Sequence, residues 1–447
     1  MELKRTTLAA FAGPSLPLAG IALPFIVYLP PYYAGTLGLD LATVGLIFFL
    51  VRVVDLPLDP VLGHLMDSTR GRWGRYRPWL VAGSLIMMAG AYLVYMAEPG
   101  IGPVRAFAQL MLLYIGLSLM VVAQVGWGAS LSSSYHERSR VFGWWQAANI
   151  LGMILVLMLP PIVSRLREDS GAAVGIHAMG WFIIATAPVA ALLAAKVVPE
   201  RPLAGTRAEP TWADVKALAR SPLIRRLLVV DALTGIAPGI TGAMFIFYFE
   251  HRLGFTAAQA SQLLLLYFIT GLIAAPFWMR LAMRIGKHRA SMVAAIAYVV
   301  THGGLGLLPV GRPTDAVIGM AIAGIPYAAQ LFLMRAMLAD VADVDRLETG
   351  LDRNGLLQAV LTTTSKIAHA VPVAIIYPIL AYIGFDPKPG AANSPEAILQ
   401  MTLLFVLAPV TLMLLAAWIV ARWPHDEKAH AAVQAALAAR VAAKPAE

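Results

Sequence analysis

Apolar runs of roughly twenty residues or more, long enough to span a bilayer as a helix, recur along the whole chain. A membrane barrel would instead show alternating segments of about ten residues, which are not seen. Of 447 residues, 59% are hydrophobic and 13% charged, against about 25% charged in an ordinary soluble domain. Such a chain has too little polar surface to cover itself in water, so an all-α integral membrane fold follows. Twelve spans are predicted. The first six lie near 8–36, 41–65, 79–97, 104–132, 142–165 and 175–197, and the second six near 222–250, 257–281, 289–309, 315–338, 354–383 and 397–421.

The division is therefore into a six-helix half at 1–198, a polar, basic linker at 199–221, a second six-helix half at 222–421 and a tail at 422–447. Two parallel halves with a substrate path between them is the arrangement of the major facilitator fold. A faint repeat agrees, with PVLGHLMDSTRGRWGR (60–75) after the second span echoed by PFWMRLAMRIGKHR (276–289) after the eighth. The opening MELKRTTLAAFAGP has the basic tip of a signal peptide, but apolarity runs unbroken to Gly35, which predicts an uncleaved first helix.

Loop charge sets the orientation. Loop 66–78 carries Arg70, Arg72, Arg75 and Arg77, and loop 280–289 carries Arg280, Arg284, Lys287 and Arg289. Loops 97–103 and 384–397 have no such excess, so both termini, the linker and the arginine loops are expected in the cytoplasm. The net charge of +9 resides in these loops, which argues against nucleic acid. With zero cysteines, a disulfide framework, a Cys-ligated zinc site and thiol catalysis are all excluded.

One span breaks the apolar rule. VRVVDLPLDPVLGHLMD (51–67) carries Arg52, Asp55 and Asp59 at i, i+3 and i+7, on one helical stripe. A charge in the bilayer costs several kcal/mol unless it faces protein or water, so this stripe marks an interior site. Two carboxylates one turn apart can share one small hard cation. Without a metal, repulsion and desolvation favour a proton on the pair, so H⁺ can take the metal's place. Pro57 removes one backbone hydrogen bond and can leave a carbonyl free to ligate. The plainer alternative is that Arg52 pairs with Asp55 and locks two helices together.

The stretch RVVDLPLDPVLGHLMDSTRGRWGRYRPWL resembles the glycoside–pentoside–hexuronide:cation symporter family, through Arg52, Asp55, Asp59, Pro60, Gly63, Arg72, Trp73, Gly74, Pro78 and Trp79. Gly63, Asp67, Gly71 and Arg72 also fit the signature that the wider superfamily carries after its second helix. A second family stretch, MLADVADVDRLETGLDRNG (337–355), is followed by Lys366 on the eleventh span. The resemblance implies a coupling cation, Na⁺, Li⁺ or H⁺, at Asp55 and Asp59, and a polar interior supported by Lys366, with no other cofactor. It also implies a substrate cavity near Gln124, Trp127 and Gln146. Asp340 and Asp343 are read, with Arg52, Asp67 and Arg72, as structural or gating charges.

The chain departs from the melibiose-type members where those hold sugar. Ala19 stands where they carry a first-helix acid, Gln124 replaces a second acid, Gln146 replaces its arginine partner, and Leu331 falls near an aromatic contact. Amides still exchange hydrogen bonds with hydroxyls, whereas the smooth first helix suits an amphiphile such as a lysolipid. Tyr32, Tyr33, Trp144 and Trp145 are read as ring-stacking groups or interfacial belts, Asp231 and Arg335 as snorkelling charges, and His369 as a packing residue.

The expectation is a monomeric secondary symporter of a bacterial inner membrane, whose partners are a small solute and the lipid bilayer. A lysolipid cargo is the rival. An enzyme is disfavoured, since HExxH, GxSxG and Walker patterns are missing from the sequence. Intact Asp55 and Asp59 speak against a non-transporting assembly factor.

Overall fold

The computed structural model describes residues 3–69, 71–131, 135–166, 172–200, 216–218, 220–351 and 353–442. The membrane helices follow in chain order as Arg5–Val27 (α1), Leu41–Met66 (α2), Arg77–Tyr95 (α3), Pro103–Gly128 (α4), Arg140–Leu166 (α5) and Ala173–Val197 (α6). The second set is Pro222–Arg252 (α7), Ala257–Ile285 (α8), Lys287–Leu305 (α9), Pro313–Thr349 (α10), Leu356–Tyr382 (α11) and Pro395–Ala421 (α12). A tail helix, Glu427–Ala442 (α13), follows.

Eleven of these helices are long and apolar enough to cross a bilayer. The twelfth, α9, has 19 residues but opens on Lys287, His288 and Arg289 and carries His302, Gly303 and Gly304, which lower its apolarity. Helical backbone continues beyond α1 through Leu29–Pro31 and a π-turn at Tyr32–Thr36, so the first run is helical almost as far as expected. A second π-turn, Tyr248–Arg252, ends α7.

The chain divides into two compact units. The first comprises Met1–Thr206, Gly242–Leu265 and Val373–Ile398, and the second Arg207–Thr241, Leu266–Pro372 and Leu399–Glu447.

In the first unit, α3 packs along α4 at close range. A Cβ on Gly90 would lie 2.5 Å from the Leu113 backbone, and one on Gly116 would strike Met87. Small residues allow this approach, which is how helices associate where lipid is as apolar as the side chains. Loop 71–76 is held at its turn by Glu200, whose carboxylate accepts the backbone N–H groups of Arg75 and of Tyr76, the latter at 2.7 Å. Gly74 has φ +95°, and a Cβ there would run into the Glu200 carboxylate, so this position admits only glycine.

In the second unit, Leu227, Val230, Met334, Met337, Leu338, Val341, Leu357 and Leu361 form a core among α7, α10 and α11. Within α9–α10, Ser291 donates to Gln330 Oε1 at 2.9 Å and Gln330 Nε2 returns to the Ser291 carbonyl at 2.9 Å. Reciprocal pairing of this kind satisfies polar groups that water cannot reach.

Candidate functional site

Asp55 lies in the middle of α2 and is 1% exposed. Ser118 on α4 donates to its Oδ1 at 2.5 Å, and Arg52 Nη1 lies 3.8 Å from its Oδ2. The Arg52 guanidinium is packed over two rings, 4.9 Å from the centre of Phe25 on α1 and 4.7 Å from that of Tyr114 on α4. A buried ion pair is tolerated only when both partners are further satisfied, and here a hydroxyl and two π faces complete it. The spacing of Arg52 and Asp55 thus produces the pairing that the sequence offered as one alternative, with partners drawn from α1 and α4. Asp59, one turn on, is half-buried. Among the described residues no group of three or more acids, histidines or cysteines is placed to hold a metal, so a cation here relies on the aspartate pair and nearby oxygens.

The two candidate substrate residues on α4 are engaged by protein. Gln124 is 1% exposed; its Nε2 donates to the Phe11 carbonyl at 2.8 Å and to Ser15 Oγ at 2.9 Å, and its Oε1 accepts from Trp145 at 3.2 Å. Those bonds tie α1, α4 and α5 together. Trp127 is fully buried, donates to the Pro199 carbonyl at 3.1 Å and lies under Arg77, 5.8 Å from its guanidinium. Gln146 on α5 is exposed, as is Trp144. Arg72 is exposed in the loop after α2, and the side chain of Asp67 lies outside the described residues. Tyr32 and Tyr33, at 3% and 0% exposure, are interior groups, not belt residues.

In the second unit, Asp340 receives Lys287 Nζ at 2.6 Å, with His430 of α13 at 3.4 Å. Asp343 accepts from Gln434 of α13 at 2.6 Å. Asp340 thus ties the start of α9 to α10, and both acids meet the tail helix. Asp345, which sequence reasoning passed over, is paired with Arg353 at 2.5 Å. Asp231 on α7 accepts from Ser365 on α11 at 2.8 Å, and Arg335 acts on it electrostatically. Lys366 follows Ser365 on the same helix and is half-buried. The His369 ring lies 2.7 Å from the Ser365 carbonyl, as its reading as a packing residue requires.

Ser118, Phe25, Tyr114 and Ser365 were not foreseen, because they act by crossing from other helices. A serine inside an apolar run is a weak sign of such a contact. Glu250 gave a stronger one. It ends the run FIFYFEHR, and the structure places it in a small cavity.

Comparisons with known proteins agree with this architecture. The nucleoside transporter NupG superposes with a TM-score of 0.67 at 13% identity, covering 93% of this chain and 99% of that one. A bacterial homologue of the human lysosomal transporter Spinster superposes at 0.64 and 12% identity, covering 98% of each. At such identity these likenesses show the fold alone. By sequence, the chain is 23% identical to the glucuronide carrier protein homolog of Escherichia coli K12 over 90% of this chain and 88% of that protein. It is also 23% identical to the isoprimeverose transporter of Lactiplantibacillus pentosus, over 86% and 81% respectively. These relatives are membrane transporters, not enzymes. A family model matches residues 10–427, nearly the whole chain, and the protein accordingly belongs to the MFS/sugar transport protein family.

Proposed function

We propose that the protein couples a cation gradient to the movement of a small hydroxylated solute, a sugar or glycoside, with the cation held at Asp55 and Asp59. The carrying observation is Asp55, a 1%-exposed carboxylate in the centre of a membrane helix, one turn before a second acid. Retaining such a charge is costly, and its default meaning is an ion or proton site. Arg52 and Ser118 hold Asp55 in place, and a cation arriving at the half-buried Asp59 competes with Arg52 for the shared negative charge. The exposed Gln146 of the first unit and the half-buried Lys366 of the second are assigned to substrate. The names of two relatives, a glucuronide carrier protein homolog and an isoprimeverose transporter, favour the sugar class.

In this reading the halves 1–198 and 222–421, joined by 199–221, exchange access between the two faces of an inner membrane as a monomer. Cation binding favours substrate binding through a coupling free energy between the two sites. Both termini and the arginine loops face the cytoplasm.

The test is thermal unfolding of the purified protein in choline, Na⁺, Li⁺ and at acid pH, each with a panel of glycosides and a panel of lysolipids. A ligand at a hundred times its Kd stabilises by about 2.7 kcal/mol. The expected result is a glycoside-dependent rise in Tm that requires one of the cations and disappears in Asp59→Asn. Shifts with lysolipids alone would transfer the cargo to amphiphiles, and a wild type indifferent to every cation would remove the role given to Asp55 and Asp59.

A further inference from the structure

A second ionisable site lies apart from Asp55 and Asp59, in the first unit. A cavity of about 40 Å³ is lined by Glu250 in the π-turn that ends α7, Tyr28 and Tyr32 after α1, Ser261 on α8, and apolar walls that include Phe247 and Pro387. Among the described residues no hydrogen bond or ion pair is made by the Glu250 carboxylate.

The hydroxyl protons of Tyr28, Ser261 and Tyr32 are already committed, while Thr36 adds a further hydroxyl to the lining. Tyr28 donates to Ser261 Oγ at 2.9 Å, Ser261 donates to the Ala257 carbonyl at 2.7 Å, and Tyr32 donates to the Ala97 carbonyl at 2.9 Å. A hydroxyl has one proton and two lone pairs, so these oxygens have only acceptor capacity left for the cavity. The cavity therefore sets the Glu250 carboxyl group among hydroxyl oxygens, between walls of low polarity that strengthen any charge pairing. A carboxyl group that no side chain among the described residues pairs, set among oxygens, suits a cation.

Size narrows the class. A water needs roughly 10–15 Å³ of such space, so 40 Å³ takes a small ion with a water or two and excludes a sugar ring. A single carboxylate balances a single positive charge. We propose that Glu250, with Tyr28, Tyr32 and Ser261, forms a binding site for a small monovalent cation, either an alkali-metal ion or ammonium, separate from the aspartate pair of α2.

The experiment is infrared difference spectroscopy of the purified full-length protein, exchanging choline for Na⁺, Li⁺ or ammonium at constant pH and ionic strength. Wild type, Glu250→Gln and the double variant Asp55→Asn/Asp59→Asn are compared. The expected result is a cation-induced change in the carboxylate stretching bands, part of which survives in the double variant and vanishes when Glu250→Gln is added to the double variant. Which of the three ions produces it decides between metal and ammonium. Glu250→Asp, which keeps the charge but shortens the reach, is expected to retain the band with a weaker midpoint, so a misfolded glutamine variant does not decide the matter alone. Tyr28→Phe is expected to weaken the midpoint by about tenfold, the scale of one hydrogen bond to a charged group. A double-variant band that the added Glu250→Gln leaves unchanged, or no band in the double variant, overturns the site. A wild-type response that the double variant leaves undiminished would instead remove the cation from the aspartates, whereas one that the double variant abolishes would remove it from Glu250, so the two readings fail separately.

Discussion

At the residue scale, the energetic question at Asp55 is which partner carries the cost of burial. Removing one member of a buried ion pair leaves the other uncompensated, typically at about 3–5 kcal/mol. Arg52→Met is therefore expected to lower Tm sharply, because it takes from Asp55, at 1% exposure, the guanidinium beside it. Asp55→Asn is expected to cost less, about 1–2 kcal/mol, since Arg52 retains the faces of Phe25 and Tyr114. Arg52→Met combined with Asp55→Asn should be more stable than Arg52→Met alone. Thermal unfolding of the three variants in one detergent checks that order, and equal losses would mean that the pair is not what stabilises α2. The stripe of Arg52, Asp55 and Asp59 was legible in the sequence because i, i+3 and i+7 share a helical face whatever the tertiary fold. Ser118 and the two rings were not, since nothing local fixes which apolar helix a stripe will meet. Gln124 shows the same limit. Its side chain was read as facing substrate, yet Phe11, Ser15 and Trp145 take it up.

At the element scale, two junctions are built from single residues. In loop 71–76, Gly74→Ala meets both a φ of +95° and the Glu200 carboxylate, and is expected to cost about 1–3 kcal/mol. Adding Glu200→Ala should relieve the collision but not the backbone strain, so the double variant recovers only part of the loss in Tm. The glycine-bearing arginine loop was visible in the sequence, whereas Glu200, more than a hundred residues away, was not. The second junction is α13 on α10, where His430 and Gln434 meet Asp340 and Asp343. His425, beside it, has its ring pulled below the ordinary imidazole range by burial first and by the neighbouring His430 second, against the opposing pull of Asp340 and Asp426. The folded state then binds fewer protons than the unfolded one just below the ordinary value of about 6.5, so this contribution to docking is present above that pH and is lost as pH falls beneath it. Amide exchange across 427–442, corrected for intrinsic rate, is expected to accelerate between pH 7.5 and 5.5. His425→Asn should flatten that response, and an unchanged pH profile would assign the docking to other groups.

At the scale of the whole molecule, the twelve-helix architecture was legible because the bilayer imposes one length and one composition on every span. The exception is instructive. Helix α9 opens on Lys287, His288 and Arg289, and its identity rests on its place between α8 and α10 more than on its own apolarity. Orientation is a separate matter, resting on where arginine and lysine gather. The cost of translocating cationic loops predicts that Ser68 lies on the cytoplasmic side and Ala392 on the opposite one. With zero native cysteines, any thiol introduced is unique in the chain. Both positions are exposed, so Ser68→Cys and Ala392→Cys should perturb nothing in the interior. A membrane-impermeant maleimide is expected to label Ala392→Cys in intact cells and Ser68→Cys only in inverted vesicles. The opposite pattern would place the arginine loops outside and overturn the orientation read from loop charge. Labelling of both in intact cells would mean that 66–78 and 384–397 share a face, which an odd number of helices between them cannot allow.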